Sequence, residues 1–360
     1  MTAMSFGMTA AGQAASAPHV IEAPAYRPGE IWKDTSGHAI NAHGGGVLLR
    51  GGVYYWYGEH KVGGELGNTA QVGVHVYSSR DLYHWQDMGI ALSVSDDPNS
   101  DITRGSIIER PKVIYNVATR KYVMWFHLEL KGQGYLAARA AVATADRPEG
   151  PFTYVGSLRP DAGHWPVGVS DADKTPSADN ILARDFAGGQ MARDMTLFVD
   201  SDGKAYLIAA SEENHTLHVS RLSDDYLRPS GDYYRAVPFG DNEAPAVFKS
   251  GGRYYMITSG LTGWKPNAAR SFVADSMAGP WTPIGNPVRG AAGDRETTFG
   301  GQSTFVLPYK SGFIFMADRW NPKDAIDGRY VWLPIEWEKS KPVVRWRDSW
   351  TLQAVKRARP

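Results

Sequence analysis

Residues His43–Glu59 read HGGGVLLRGGVYYWYGE: an apolar stretch, a tight Gly-Gly turn, then aromatics ending in an acid. That is the sequence of a β-hairpin. The pattern returns four times. Glu109–His127 reads ERPKVIYNVATRKYVMWFH and Arg193–Glu213 reads RDMTLFVDSDGKAYLIAASEE. Glu243–Ser259 reads EAPAVFKSGGRYYMITS and Gln302–Asp318 reads QSTFVLPYKSGFIFMAD. The starts of these segments lie about 50 to 85 residues apart, room for four short strands in each unit. Further strand pairs follow in residues 71–89, 138–156, 216–229 and 270–285, with a less regular pair in 329–346. Five units of four strands predict an all-β, five-bladed β-propeller, in which radial repetition leaves few open sheet edges. A two-sheet sandwich would not account for five repeats.

Composition agrees. The chain has 360 residues with 12 Trp, 18 Tyr, 39 Gly and 22 Pro, which suits short strands and turns rather than long helices. Lys+Arg and Asp+Glu are both 38, so no basic excess argues for a nucleic-acid or membrane-surface partner. No cysteine is present, which removes disulfides, thiolate metal sites and a cysteine nucleophile. No His/Asp cluster has metal-ligand spacing. One domain is expected over about residues 25–355. Residues 1–20 are uncharged at the start and rich in Ala, Ser and Gly. They read either as the remnant of a secretory signal peptide lacking its basic region or as a disordered tail. The first reading places the protein outside the cytoplasm, secreted or periplasmic.

In a propeller the innermost strand of each blade starts near the axis. The residues opening the repeats, His43, Glu109, Asp194, Glu243 and Gln302, should therefore meet in one pocket. One acid at a strand start is ordinarily a surface turn residue; three in equivalent positions point to a polar site. A neutral, acidic and aromatic-rich pocket suits a sugar, and two carboxylates flanking a glycosidic bond are the usual means of hydrolysis. Read on their own, Lys112 is expected to face solvent, and the pairs Glu212–Glu213 and Asp224–Asp225 to be solvated turns. His43 reads equally as a core histidine or a sugar ligand.

The strings NAHGGGVLL, YYWYGEH, IERPKVIYN, RDMTLFVDSDGKAYLI, EAPAVFK, YYMITSGLTGWKPN and GGQSTFV resemble glycoside hydrolase family 43 over nearly the whole folded chain. The resemblance is nearest to its exo-β-1,3-galactanase (galactan 1,3-β-galactosidase) subfamily. It implies an inverting exo-glycosidase that releases galactose from β-1,3-galactan, the backbone of arabinogalactan, without a cofactor; a monomer is expected, though the sequence does not give the oligomeric state. Glu243 matches the family's general acid. The family's general base, an Asp opening the first blade, falls here at His43 or Gly44, where there is no carboxylate. The subfamily likewise lacks it and places a glutamine, here Gln302, at the fifth blade. There it is proposed to position or deprotonate water as an imidic-acid tautomer. Glu109 matches the group that tunes the acid's pKa. Asp194 matches a ligand of substrate hydroxyls, and Thr262, Trp264, Glu59 and Tyr135 match the pocket wall. The sequence leaves open a calcium on the axis. It also leaves open two other readings: a family 43 β-xylosidase or α-arabinofuranosidase, and a catalytically silent galactan-binding propeller.

Overall fold

In the computed structural model, which describes Met1 and residues 24–69 and 72–358, five antiparallel sheets stand around one axis. The 1–20 segment lies, Met1 apart, outside the described residues. The innermost strands are β1 (His43–Arg50), β2 (Ile107–Asn116), β3 (Met195–Val199), β4 (Asn242–Ser250) and β5 (Gln302–Tyr309). Each packs against the next, and β5 packs against β1, closing the ring. Every blade continues outward as a four-stranded meander. The fifth adds Val288–Arg289, paired in parallel with Lys341–Arg345. Among the described residues no helix is long and apolar enough to cross a membrane.

The hairpins form where the turn chemistry demands. Gly51 and Gly52 have φ of 59° and 76°, and Gly251 and Gly252 of 57° and 84°, the doubly left-handed backbone of a two-residue hairpin turn. Blades stack face to face, so middle strands are apolar on both faces rather than alternating. Lys121–Glu129 (KYVMWFHLE), which pairs with β2, is buried at every residue but the first. The ring closes through aromatic packing. Tyr26 and Trp350 exchange backbone hydrogen bonds of 2.8 and 3.0 Å, and their rings stack at 4.5 Å. Trp32, Trp56 and Trp332 pack around them between the first and fifth blades.

One recurrent irregularity shapes the axial end. In β1, His43 faces Glu59 but Gly46 faces Tyr57. In β2, Glu109 faces His127 but Lys112 faces Trp125. In β4, Glu243 faces Ser259 but Ala246 faces Ile257. Each is a one-residue bulge, and β5 has another between Ser303 and Phe305. In the first three, the residue after the front position is left-handed: Gly44 (φ 62°), Arg110 (φ 56°) and Ala244 (φ 52°). The bulge turns the chain so that the front side chains can point across the axis.

Candidate active site

A blind pocket of about 280 Å³ opens at the front of the axis. Glu109, Asp194, Glu243 and Gln302 all line it, as the repeat positions predict. The axis below is plugged by β2. Arg110 lines the front pocket, while Lys112 lines a separate rear cavity of about 990 Å³.

Glu243 is the carboxyl best suited to donate a proton. Burial, then the charges of Asp194 and Glu109, push it up to about 8, so it is protonated at neutral pH. Asn214 Nδ2 donates to Glu243 Oε1 at 2.8 Å, which leaves Oε2 as the oxygen to carry the acid proton. Asn214 arrives on a strained turn: Glu212, Glu213 and Asn214 have φ of 49°, 57° and 71°. Glu212 anchors that turn through Arg235 (2.7 and 2.6 Å) and His218 (2.8 Å). It is 2% exposed, so the expected solvated Glu212–Glu213 pair is half wrong. The reason is its partners: His218, six residues on across the turn, and Arg235, brought in from the next strand.

Glu109 is the opposite case. Its Oε1 accepts from the Tyr135 hydroxyl at 2.7 Å and from Asn68 Nδ2 at 2.6 Å. Its Oε2 meets His127 Nδ1 at 3.2 Å. His127 Nε2 in turn lies 2.8 Å from Glu129 Oε1, and Glu129 Oε2 accepts the Ala138 N–H at 2.9 Å. Burial disfavours the charge on Glu109, but His127, Lys61 and Tyr135 outweigh it and hold the carboxyl well below the usual range. Burial likewise opposes the imidazolium of His127, yet Glu109 and Glu129 raise it to about 9. Two glutamates at equivalent places in two blades are thus driven to opposite protonation states, the arrangement that acid–base division of labour requires.

Gln302 is held at both ends. Its Oε1 accepts from Arg110 Nη2 at 2.5 Å and Trp320 Nε1 at 2.9 Å, and its Nε2 donates to Ser259 Oγ at 2.9 Å. Arg110 also clamps Asp194 through two bonds, 3.0 Å to Oδ1 and 2.8 Å to Oδ2. Glu59 lines the pocket beside them, ion-paired with Lys61, and its Oε1 accepts the Arg110 N–H at 2.8 Å. Glu109, His127 and Asp194 place ligand-type atoms within 4.8 Å of one another. They are engaged in the ion pairs just described.

Tyr135 and Trp264 line the pocket as expected. Thr262 does not. Its hydroxyl donates to Lys265 O at 2.6 Å and accepts from Asn267 Nδ2 at 2.7 Å, folding the loop while its neighbours Leu261 and Gly263 face the pocket. His43 does not reach the pocket either. It is wholly buried, stacked on Tyr330 at 5.4 Å between centroids, and burial lowers it to about 3, so the imidazole is neutral. The segment after β5's hairpin covers it: a Cβ on Gly328 would lie 2.7 Å from His43 Nδ1. Lys112 is buried, not solvated; its Nζ donates to Gly44 O at 2.8 Å and Arg110 O at 3.3 Å.

Arg110, His127, Asn214 and Trp320 were not legible as site residues. Arg110 was within reach: it aligns with Gly44, one place after the front of its repeat, where the backbone is left-handed.

The sequence pattern of the glycosyl hydrolases of family 43 matches residues 47–341. A GH43 β-1,3-galactosidase solved with galactodeoxynojirimycin is 47% identical, with a TM-score of 0.86 over 91% of this chain and 100% of that one. An exo-β-1,3-galactanase from Phanerochaete chrysosporium solved with galactose is 33% identical, with a TM-score of 0.76 over 92% of this chain and 70% of that one. An exo-β-1,3-galactanase from Clostridium thermocellum is 36% identical, with a TM-score of 0.77 over 90% of this chain and 66% of that one. No curated protein matches the chain. A five-bladed propeller with a protonated Glu243 facing a charged Glu109 across a blind pocket, matched by that pattern and those structures, makes this chain a member of glycosyl hydrolase family 43.

Proposed function

We propose that the protein removes terminal galactose from β-1,3-galactan, the backbone of arabinogalactan, with inversion at the anomeric carbon. The observation that carries this is the blind pocket lined by Glu243, whose carboxyl is raised to about 8 beside the charged Glu109. A pocket closed by Arg110 and Lys112 admits a chain end, not a chain passing through. The resemblance of the whole chain to β-1,3-galactosidases supplies the sugar and the linkage.

Glu243 gives its Oε2 proton to the glycosidic oxygen as the C–O bond breaks. Charge on the departing oxygen is thereby neutralised, and the leaving chain departs as an alcohol. Glu109 stays charged, keeps Glu243 protonated and stabilises positive charge on the sugar ring. Asp194, fixed by Arg110, accepts from sugar hydroxyls. The attacking water is held by Gln302. Two donors on Oε1, one a guanidinium, favour negative charge on that oxygen and C=N character in the amide. That polarisation draws on the Nε2 lone pair, so Nε2 takes the water's proton in the imidic-acid form, in which one amide proton has moved to Oε1; release of the Oε1 proton to solvent then restores the amide. No cofactor enters this chemistry. The protein acts as a monomer outside the cytoplasm, where the polymer is; light scattering and cell fractionation check both.

The test is turnover of β-1,3-galactobiose with the released galactose followed by NMR. Release of the α-anomer first is expected. Release of the β-anomer first would overturn inversion. Binding of the disaccharide without turnover would favour the silent binder, and turnover of xylosides or arabinosides alone would favour another activity of the family.

A further inference from the structure

Beside the catalytic pocket lies a second cleft, of about 550 Å³, between the 172–181 segment and the third blade. It shares a loop with the pocket. In the four residues Glu212–His215, Asn214 lines the pocket, while Glu212 and His215 line the cleft. Its other edge is the connection that leads into β4 and Glu243. There Val237, Phe239 and Asp241 have φ of 55°, 54° and 51°. A β-branched and an aromatic residue in this region are costly conformations that persist only where the surroundings impose them. The Phe239 N–H is held by Thr216 Oγ1 at 3.2 Å, and Asp241 by His215 at 2.6 Å.

The result is an aromatic ring pushed outward. Phe239 is 73% exposed, with the Arg235 guanidinium over it at 4.9 Å from the ring centroid. Arg235 is already neutralised by Glu212. The cleft therefore offers an exposed aromatic ring and the short polar side chains of Asp173, Ser177 and Asp179, without a free cation to attract an anion. An aromatic ring beside hydroxyl-bonding groups is what a pyranose recognises through its C–H face and its rim.

Resting on the galactanase reading above, we propose that this cleft is a distal subsite for the leaving chain, where Phe239 stacks on a galactosyl unit beyond the one joined to the scissile bond. A disaccharide ends before the cleft; a longer β-1,3-linked chain reaches it past Asn214.

The experiment compares wild type, Phe239→Ala and Phe239→Trp on β-1,3-galactobiose and on long debranched β-1,3-galactan. For Phe239→Ala, kcat/KM on the disaccharide should stay within about twofold, while KM on the polymer rises roughly fivefold, the size of one aromatic contact. Phe239→Trp should restore the polymer KM. Equal losses on both substrates would make Phe239 structural, and an unchanged polymer KM would leave the cleft without this ligand; either overturns the proposal. If wild type hydrolyses neither substrate, the galactanase reading fails by itself. The cleft is then judged by retardation in native gels containing galactan: loss of retardation in Phe239→Ala supports it, and equal retardation overturns it.

Discussion

His43 and Glu243 occupy the same place in their repeats: the front of an inner strand, before a one-residue bulge and a left-handed residue. Both are desolvated, and both are driven neutral by it, His43 down to about 3 and Glu243 up to about 8. Yet one is walled in against Tyr330 and the other lines the pocket. Repeat position sets the backbone direction. What the neighbouring loops cover decides whether the side chain is buried in the core or lines the pocket. The same comparison explains the missing base. A Cβ on Gly44 would lie 2.1 Å from Glu59 Oε1, so Glu59 already fills the space a carboxylate at the first blade would need.

The largest break in this comparison is Glu243→Gln. Turnover of β-1,3-galactobiose should fall by about 10²–10⁴-fold, the usual worth of a general acid. Steady-state assays on the folded variant check it; more than about a tenth of wild-type activity would remove Glu243 from the role.

Gly44→Asp tests whether a carboxylate can be restored at the first blade. The clash with Glu59 and the φ of 62° should lower stability by about 1–3 kcal/mol or more, without a gain in rate. Urea unfolding and kcat measure the two; a stable variant with raised kcat would contradict the packing argument.

Two variants should move the alkaline limb of the pH–rate profile in opposite directions. That limb reports Glu243, which must be protonated and so loses function above about pH 8. Glu109→Gln removes a negative charge that favours protonation, so the limb moves to lower pH. Asn214→Ala removes a donor that favours the ionised form, so the limb moves to higher pH, with about a tenfold slower rate from a less well aimed acid. Profiles of kcat/KM on galactobiose decide. Shifts of the same sign would undo the assignment of separate roles.

His43→Phe should do least. Neither ring nitrogen has a hydrogen-bond partner, so an apolar ring of similar shape leaves no buried group newly unsatisfied. Galactobiose turnover should stay within about twofold, and thermal stability should be unchanged or higher. A large loss of kcat with normal stability would return His43 to the site.

The ionic pair behind Glu109 adds a pH-dependent stability. His127 is raised in the folded state, so its contribution is full below its unfolded value and fades as pH rises through about 9. Glu109 is depressed, so its contribution is present above its unfolded value and fades as pH falls toward its folded one.

The repeat, the hairpins and the front positions are legible in the sequence, because all three rest on local rules: Gly-Gly turns, short apolar and aromatic runs, and spacing. From these the five front positions converge, and Glu109, Asp194, Glu243 and Gln302 do line one pocket while His43 does not. How each of them is held, and in which charge state, came from the tertiary structure. A bulge at a non-glycine residue such as Arg110 has no local signature, so neither its clamp on Asp194 nor its bond to Gln302 could be read. Trp320, Asn214 and His127 come from other turns or strands, and their contacts with the front residues exist only once the ring has closed. Protonation was decided last and least locally. Burial acts on both Glu109 and Glu243, and it is the imidazolium of His127 beside one, and the charges of Asp194 and Glu109 beside the other, that send two like residues to opposite states.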